Sequence, residues 1–108
     1  MRTPTGRLPR HPRPGSKLGA VMLALWHAAQ DTTRPLCPWM RLAELSRVTG
    51  ATKGATSANL VNLRRRGFVC RSTIEVPEHG EEWVYCLTDW GAAAAAQVFG
   101  PGPTAPEA

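Results

Sequence analysis

The sequence predicts an α+β domain in which three helices precede, and one follows, a single β-hairpin. Three observations carry this. Apolar residues recur every three or four positions over residues 18–29 and 42–63. The pattern changes to β-branched and aromatic residues between 68 and 87. Glycine or hydroxyl side chains mark the changes.

In chain order, residues 1–15 hold Pro4, Pro9, Pro12, Pro14 and Gly15 interleaved with Arg2, Arg7, Arg10, His11 and Arg13. Such a composition buries too little to order itself, so a flexible basic arm is expected. Ser16 can cap the next helix through its hydroxyl, and Leu18, Val21, Met22, Leu25, Trp26 and Ala29 give that helix a core-facing stripe as far as Gln30. Residues 34–40 form a connection.

A second helix follows, with Leu42, Leu45 and Val48 as its apolar face and Gly50 where a C-terminal cap belongs. Thr52 can cap a third, whose inward stripe is Thr56, Leu60 and Leu63 and whose stop is Gly67. Two short helices joined by a glycine turn have the layout of a helix-turn-helix, which makes DNA the first partner to consider. Beyond Gly67, Phe68, Val69, Cys70, Thr73, Ile74 and Val76 favour a strand. Pro77, Glu78, His79 and Gly80 supply a turn into a second extended run ending near Leu87. Thr88 caps the last helix, Asp89 suits its first turn, and residues 90–99 with their alanine run complete it. The expected organisation is an arm over 1–15, a folded domain over 16–99 and a disordered tail over 100–108, closed by Gly100-Pro101-Gly102-Pro103.

Leu42-Ala43-Glu44-Leu45, Thr49-Gly50, the spaced set Leu60, Leu63, Gly67, Phe68 and Val69, and Tyr85-Cys86-Leu87-Thr88 carry a family likeness. On these residues the chain resembles the winged helix-turn-helix domains of small bacterial regulators of the MarR and ArsR types, over roughly residues 17–99. The resemblance implies a three-helix core, a wing sheet of two or three strands, and a short strand at residues 39–41 adding to that sheet. It also implies that residues 53–66 form a recognition helix for the major groove. The same scaffold serves elsewhere as a protein-binding module, so the ligand must be argued from the residues.

With Thr56, Leu60 and Leu63 inward, the opposite face of the third helix carries Gly54, Ala58, Val61 and Arg65, flanked by Lys53, Ser57, Asn62 and Arg64. Thr52, Lys53, Ser57, Asn62 and Arg65 can hydrogen-bond base edges or phosphates, and Ala58 can touch a thymine methyl. Arg64, Arg65 and Arg66 stand at the helix C-terminus, where cations offset the helix dipole and where at least one can reach phosphate. Arg10 and Arg13 in the arm are further candidates, for the minor groove. Ala58 stands where many regulators of this resemblance carry arginine or glutamine. The expectation is therefore affinity drawn mainly from phosphates and the arm.

The chain of 108 residues carries a formal charge of +5, unevenly distributed. Residues 1–17 hold five basic and no acidic side chains, residues 18–74 eight basic and two acidic, and residues 75–108 six acidic and none basic. A basic front raises the local concentration of a polyanion and makes binding salt-dependent. Glu75, Glu78, Glu81 and Glu82 surround the turn of the hairpin, a place where winged domains usually meet phosphate. Either the wing is held away from the duplex or it docks a protein. On that strand Trp83 alternates with Val84, so one of the two faces solvent.

No HExxH, GxSxG, phosphate loop or DxD is present, so an enzyme is not expected, and no cofactor or metal is implied. No apolar run approaches the roughly 18 residues of a membrane span, and no apolar segment follows the N-terminal basic residues, which points to the cytoplasm. Cys37, Cys70 and Cys86 lack metal-site spacing and fit reduced thiols; the readings are packing residues, or a redox pair of Cys70 and Cys86 across the hairpin. The functional expectation is a double-stranded-DNA-binding transcription regulator, a repressor by type and a homodimer through its first and last helices. The alternatives are a module that docks a protein partner through the acidic wing and Trp83, and an accessory DNA-binding protein of a phage or mobile element.

Overall fold

The computed structural model describes residues 11–100. Its elements are α1 (Lys17–Gln30), β1 (Met40–Arg41), α2 (Leu42–Thr49), α3 (Lys53–Arg65), β2 (Val69–Val76), β3 (Gly80–Leu87) and α4 (Asp89–Phe99). The strands make one antiparallel sheet in the order β1-β3-β2, the wing-bearing α+β plan expected from the sequence.

Local chemistry sets the boundaries. The hydroxyls of Ser16, Thr52 and Thr88 accept hydrogen bonds from the backbone N–H of Gly19, Ala55 and Gly91 at 3.0, 3.1 and 2.9 Å, capping α1, α3 and α4. Gly50 and Gly67 end α2 and α3 with φ of 78° and 84°, a left-handed conformation that costs glycine little. The core joins Met22 and Leu25 of α1, Leu45 of α2, Leu60 and Leu63 of α3, and Phe68 to Met40, Val69 and Tyr85 of the sheet. Each such side chain contributes roughly 1.5–3 kcal/mol by leaving water.

One expectation is corrected. Val48 is 58% exposed rather than part of the core face of α2. Leu42, Leu45 and Val48 are spaced three apart, and each such step turns about 60° short of a full helical circle, so Val48 lies about 120° round from Leu42. Thr49 occupies the inward direction instead, its hydroxyl donating to the Leu45 carbonyl at 2.8 Å. Of the expected arm, residues 1–10, including Arg10, lie outside the described residues, and Arg13, Pro14 and Gly15 are exposed, while His11 and Pro12 touch the domain. Pro12 is buried, the His11 ring meets Phe68 edge-on at 6.0 Å, and the Arg13 carbonyl accepts from the Ser16 backbone N–H at 3.0 Å. Gly19 makes room for this: a Cβ there would stand 1.9 Å from the Arg13 carbonyl oxygen. Of the tail, residues 101–108 also lie outside the described residues.

The hairpin register pairs Val69 with Leu87, Cys70 with Cys86, Arg71 with Tyr85 and Thr73 with Trp83. Met40 and Arg41 pair with Tyr85 and Val84, so β1 is one residue shorter than the resemblance implied. At the turn, Glu78 takes a φ of 73° and Gly80 one of 79°. The far end of the hairpin is clipped shut. Thr88 donates its hydroxyl to the Gly67 carbonyl at 2.6 Å and its N–H to the Phe68 carbonyl at 3.0 Å. Gly91 approaches the same carbonyl so closely that a Cβ would lie 1.9 Å from its oxygen.

Candidate nucleic-acid interface

The inward stripe expected for α3 is the buried one: Thr56, Leu60 and Leu63 are at or near zero exposure. Thr56 donates its hydroxyl to the Thr52 carbonyl at 2.8 Å, satisfying the single buried polar side chain of this helix. Fixing that stripe turns the other side outward. Thr52, Lys53, Ala58, Asn62 and Arg65 are exposed, while Ser57, Arg64 and Arg66 are half-buried. Thr52 already accepts the cap bond on one hydroxyl lone pair, and its carbonyl accepts from Thr56, which leaves the hydroxyl proton and a second lone pair for a ligand. Arg66 forms the C-cap, its N–H donating to the Asn62 carbonyl at 3.1 Å. Arg13 is exposed at the N-terminal turn of α1 and lines neither of the grooves beside α3.

Those two grooves separate α3 from the sheet, and Trp83 borders both. One, of about 640 Å³, runs along the C-terminal half of α3 and is lined by Val61, Arg64, Arg65, Cys70 and Arg71 besides Trp83. The other, of about 480 Å³, brings Lys53 at the start of α3 beside Arg41, His79 and Glu82. The alternation on β3 is resolved: Val84 is 1% exposed and Trp83 45%.

Arg71 was not among the residues singled out by sequence. Its guanidinium carbon lies 3.8 Å from the Trp83 ring centroid, a cation–π contact across the sheet. Arg71 faces Tyr85 and Trp83 faces Thr73, so the two are diagonal neighbours on one face of the hairpin. The signal lay in the short turn of the hairpin, which sets this register.

The acidic residues divide into two kinds. Glu75, Glu78 and Glu81 are exposed around the turn. Glu82 instead takes a two-pronged hydrogen bond from Arg41, with Nε and one terminal nitrogen each at 2.8 Å. That contact holds the Glu82 carboxyl below its ordinary range, with smaller help from the charges of Arg41, His79 and Lys53. A second pair, Arg34 with Glu44 at 2.7 Å, ties the α1–β1 connection to α2. Among the described residues, Arg64, Arg65 and Arg71 have no acidic partner.

Cys70 and Cys86 face each other with sulfurs 3.5 Å apart, both as thiols. Burial, followed by the hydrogen bond and charge of Cys70, pushes the Cys86 thiol up to about 12. Among the described residues no group of three or more His, Cys, Asp or Glu side chains is placed to hold a metal ion. Nor is any helix there long and apolar enough to cross a membrane.

No protein-family model and no curated protein matches the sequence. Solved structures do match its fold. A protein of Ralstonia eutropha JMP134 whose name suggests DNA binding superposes with a TM-score of 0.61 at 23% identity, covering 76% of this chain and 93% of that one. Wild-type MarR from Escherichia coli, in its apo form, matches at 0.57 and 24% identity over 78% of this chain. The match covers 54% of MarR, so this chain spans about half of that protein. Diamide-treated YodB from Bacillus subtilis matches at 0.56 and 17% identity, covering 80% and 75% of the two chains. With three helices packed under a hairpin, a third short strand at its edge and a closing helix, the chain has the winged helix-turn-helix fold of the MarR type.

Proposed function

We propose that the protein binds double-stranded DNA as a transcription regulator, with α3 in the major groove and its terminal arginines on phosphate. One observation carries this reading. The outward face of α3 runs into a groove where Arg64 and Arg65 have no acidic partner among the described residues, while Glu75, Glu78 and Glu81 are gathered at the wing turn. Unpaired guanidinium groups side by side repel one another and gain most from a polyanion. The small residues Ala58 and Val61 at the centre of the face leave room for close approach but read few base edges. Affinity then comes chiefly from phosphates, with Arg10 and Arg13 adding to it.

Fluorescence anisotropy of a labelled duplex, titrated over a range of salt, tests the reading. Affinity falls steeply with ionic strength, and Arg64→Ala with Arg65→Ala makes the decline shallower by about 0.9 for each phosphate no longer engaged. Binding indifferent to salt would sink it.

A homodimer reading an inverted repeat, acting as a cytoplasmic repressor, is the working form of this proposal. Trp90, Ala93 and Ala96 of α4 are exposed, and α1 with α4 is the surface offered for pairing. Sedimentation at micromolar concentration gives a dimer if so, and a monomer alone removes it. A second reading keeps Glu75, Glu78 and Glu81 as a docking surface for a basic protein. Glu78→Lys with Glu81→Lys tightens DNA binding on the first reading and abolishes capture of the partner on the second.

A further inference from the structure

Resting on the reading that α3 binds DNA, we propose that the wing engages the duplex at its root. Arg71, held over the ring of Trp83, closes with Arg64 and Arg65 around a DNA phosphodiester in the groove between α3 and the hairpin.

Four features carry this. First, the hairpin register sets Arg71 and Trp83 diagonally on one face, and the guanidinium carbon is held over the indole, 3.8 Å from its centroid. A guanidinium so held loses little further freedom when its N–H edge meets a phosphate, whose two oxygens match that fork. Second, the groove is walled on its other side by Arg64 and Arg65, so three guanidinium groups border one concavity of about 640 Å³ with no acidic side chain among its lining residues. An anion relieves their mutual repulsion. Third, the acid nearest on the strand, Glu82, lines the opposite groove and is engaged by Arg41. Fourth, Trp83 remains 45% exposed although its neighbour Val84 is buried, so the indole is at once a platform for Arg71 and a wall for the ligand. A phosphate seated there lies alongside α3, where the strand bordering an occupied major groove must pass. The acidic turn projects beyond it, out of contact with the duplex.

The test compares the native chain with Arg71→Ala, Arg71→Lys, Trp83→Phe and Trp83→Ala, by anisotropy with several duplex sequences over salt. Circular dichroism melts establish that each variant is folded, which is expected for side chains this exposed. Removing one phosphate interaction reduces the slope of log affinity against log salt by about 0.9, so the drop in affinity between about 50 and about 200 mM salt becomes roughly 3.5-fold smaller in Arg71→Ala. The effect is the same for every duplex sequence, because phosphate carries no base information. Arg71→Lys keeps the slope but binds more weakly, since it lacks the planar fork. Trp83→Phe, which keeps an aromatic face, restores what Trp83→Ala loses; that rescue marks Trp83 as the residue positioning Arg71. An unchanged slope and affinity in Arg71→Ala, beside a clear loss in Arg65→Ala, overturns the wing-root contact and leaves DNA binding by α3 standing. Salt-independent binding by the native chain overturns both.

Discussion

At its root the hairpin is apolar and basic: Val69, Val84, Tyr85 and Cys86 are buried, and Arg71 lies over the Trp83 ring. At its turn Glu75, Glu78 and Glu81 stand exposed, and Glu78 holds a left-handed backbone. The same two strands thus serve different physical ends. Where β3 is fastened on one side to β1 and on the other to β2, a side chain can be aimed, and directional chemistry such as a planar guanidinium facing a phosphate becomes feasible. Beyond the reach of the core, charge acts only as a field, screened within about 8–10 Å at ordinary salt. Acids there repel a polyanion without fixing any geometry.

Truncation at the two ends is the strongest way to break this contrast. Phe68 is fully buried, stacked parallel to Trp90 at 6.3 Å and touched edge-on by His11, so Phe68→Ala costs about 3–5 kcal/mol. Val76→Ala beside the turn costs under about 1 kcal/mol, since Val76 is only half-buried. Urea melts measure both, and equal losses would mean that the root is not the anchor. The clip between hairpin and α4 ranks next. Gly91→Ala drives a methyl against the Phe68 carbonyl and lowers stability by about 1–3 kcal/mol, whereas Gly54→Ala on the exposed face of α3 meets nothing and stabilises slightly. At the turn the sign reverses. Glu78→Gly relieves a left-handed residue that costs about 1–2 kcal/mol, offset in part by glycine's greater freedom when unfolded, for a net gain of about 0.5 kcal/mol.

Two further effects are read by pH. The Cys86 thiol, raised from 9.0 to about 12, stays neutral in the fold while the unfolded chain begins to ionise near its ordinary value. Its contribution to stability is complete below pH 9.0 and fades as pH climbs toward 12, so the melting temperature of the native chain falls faster over that window than that of Cys86→Ala. Glu82, lowered from 4.5, works the other way: its contribution is present above that value and fades as pH falls. Glu82→Gln flattens the acid limb of a thermal melting profile. A profile identical to the native one would show that the Arg41 pair does not couple to folding.

These contrasts also mark what the sequence made legible. Caps at Ser16, Thr52 and Thr88 and stops at Gly50 and Gly67 could be read directly, because a cap is a bond between residues two or three apart. The inward face of α3 was legible for the same reason, since helical phase is local. Val48 was misplaced because a run of equal three-residue steps drifts off the core face within two turns. The contact of His11 with Phe68 is not legible in composition, since no local reading connects the two. At the candidate interface Arg64 and Arg65 announced themselves as a run of charge. The partnership of Arg71 with Trp83 did not, since it depends on which residues of two strands lie opposite.

The clip formed by Thr88, Gly67 and Phe68 has one more consequence. Because the two ends of the hairpin meet and are fastened there, and β1 holds β3 only as far as Val84 with Arg41 reaching on to Glu82, the stretch beyond is a closed loop hung from a fixed root. Lengthening or shortening both strands in step at the turn leaves that fastening unchanged, and the entropic cost of a longer loop grows only logarithmically. The wing is therefore an exchangeable cassette. Its length, its charge and eventually its partner can diverge while the helices beneath keep the same packing.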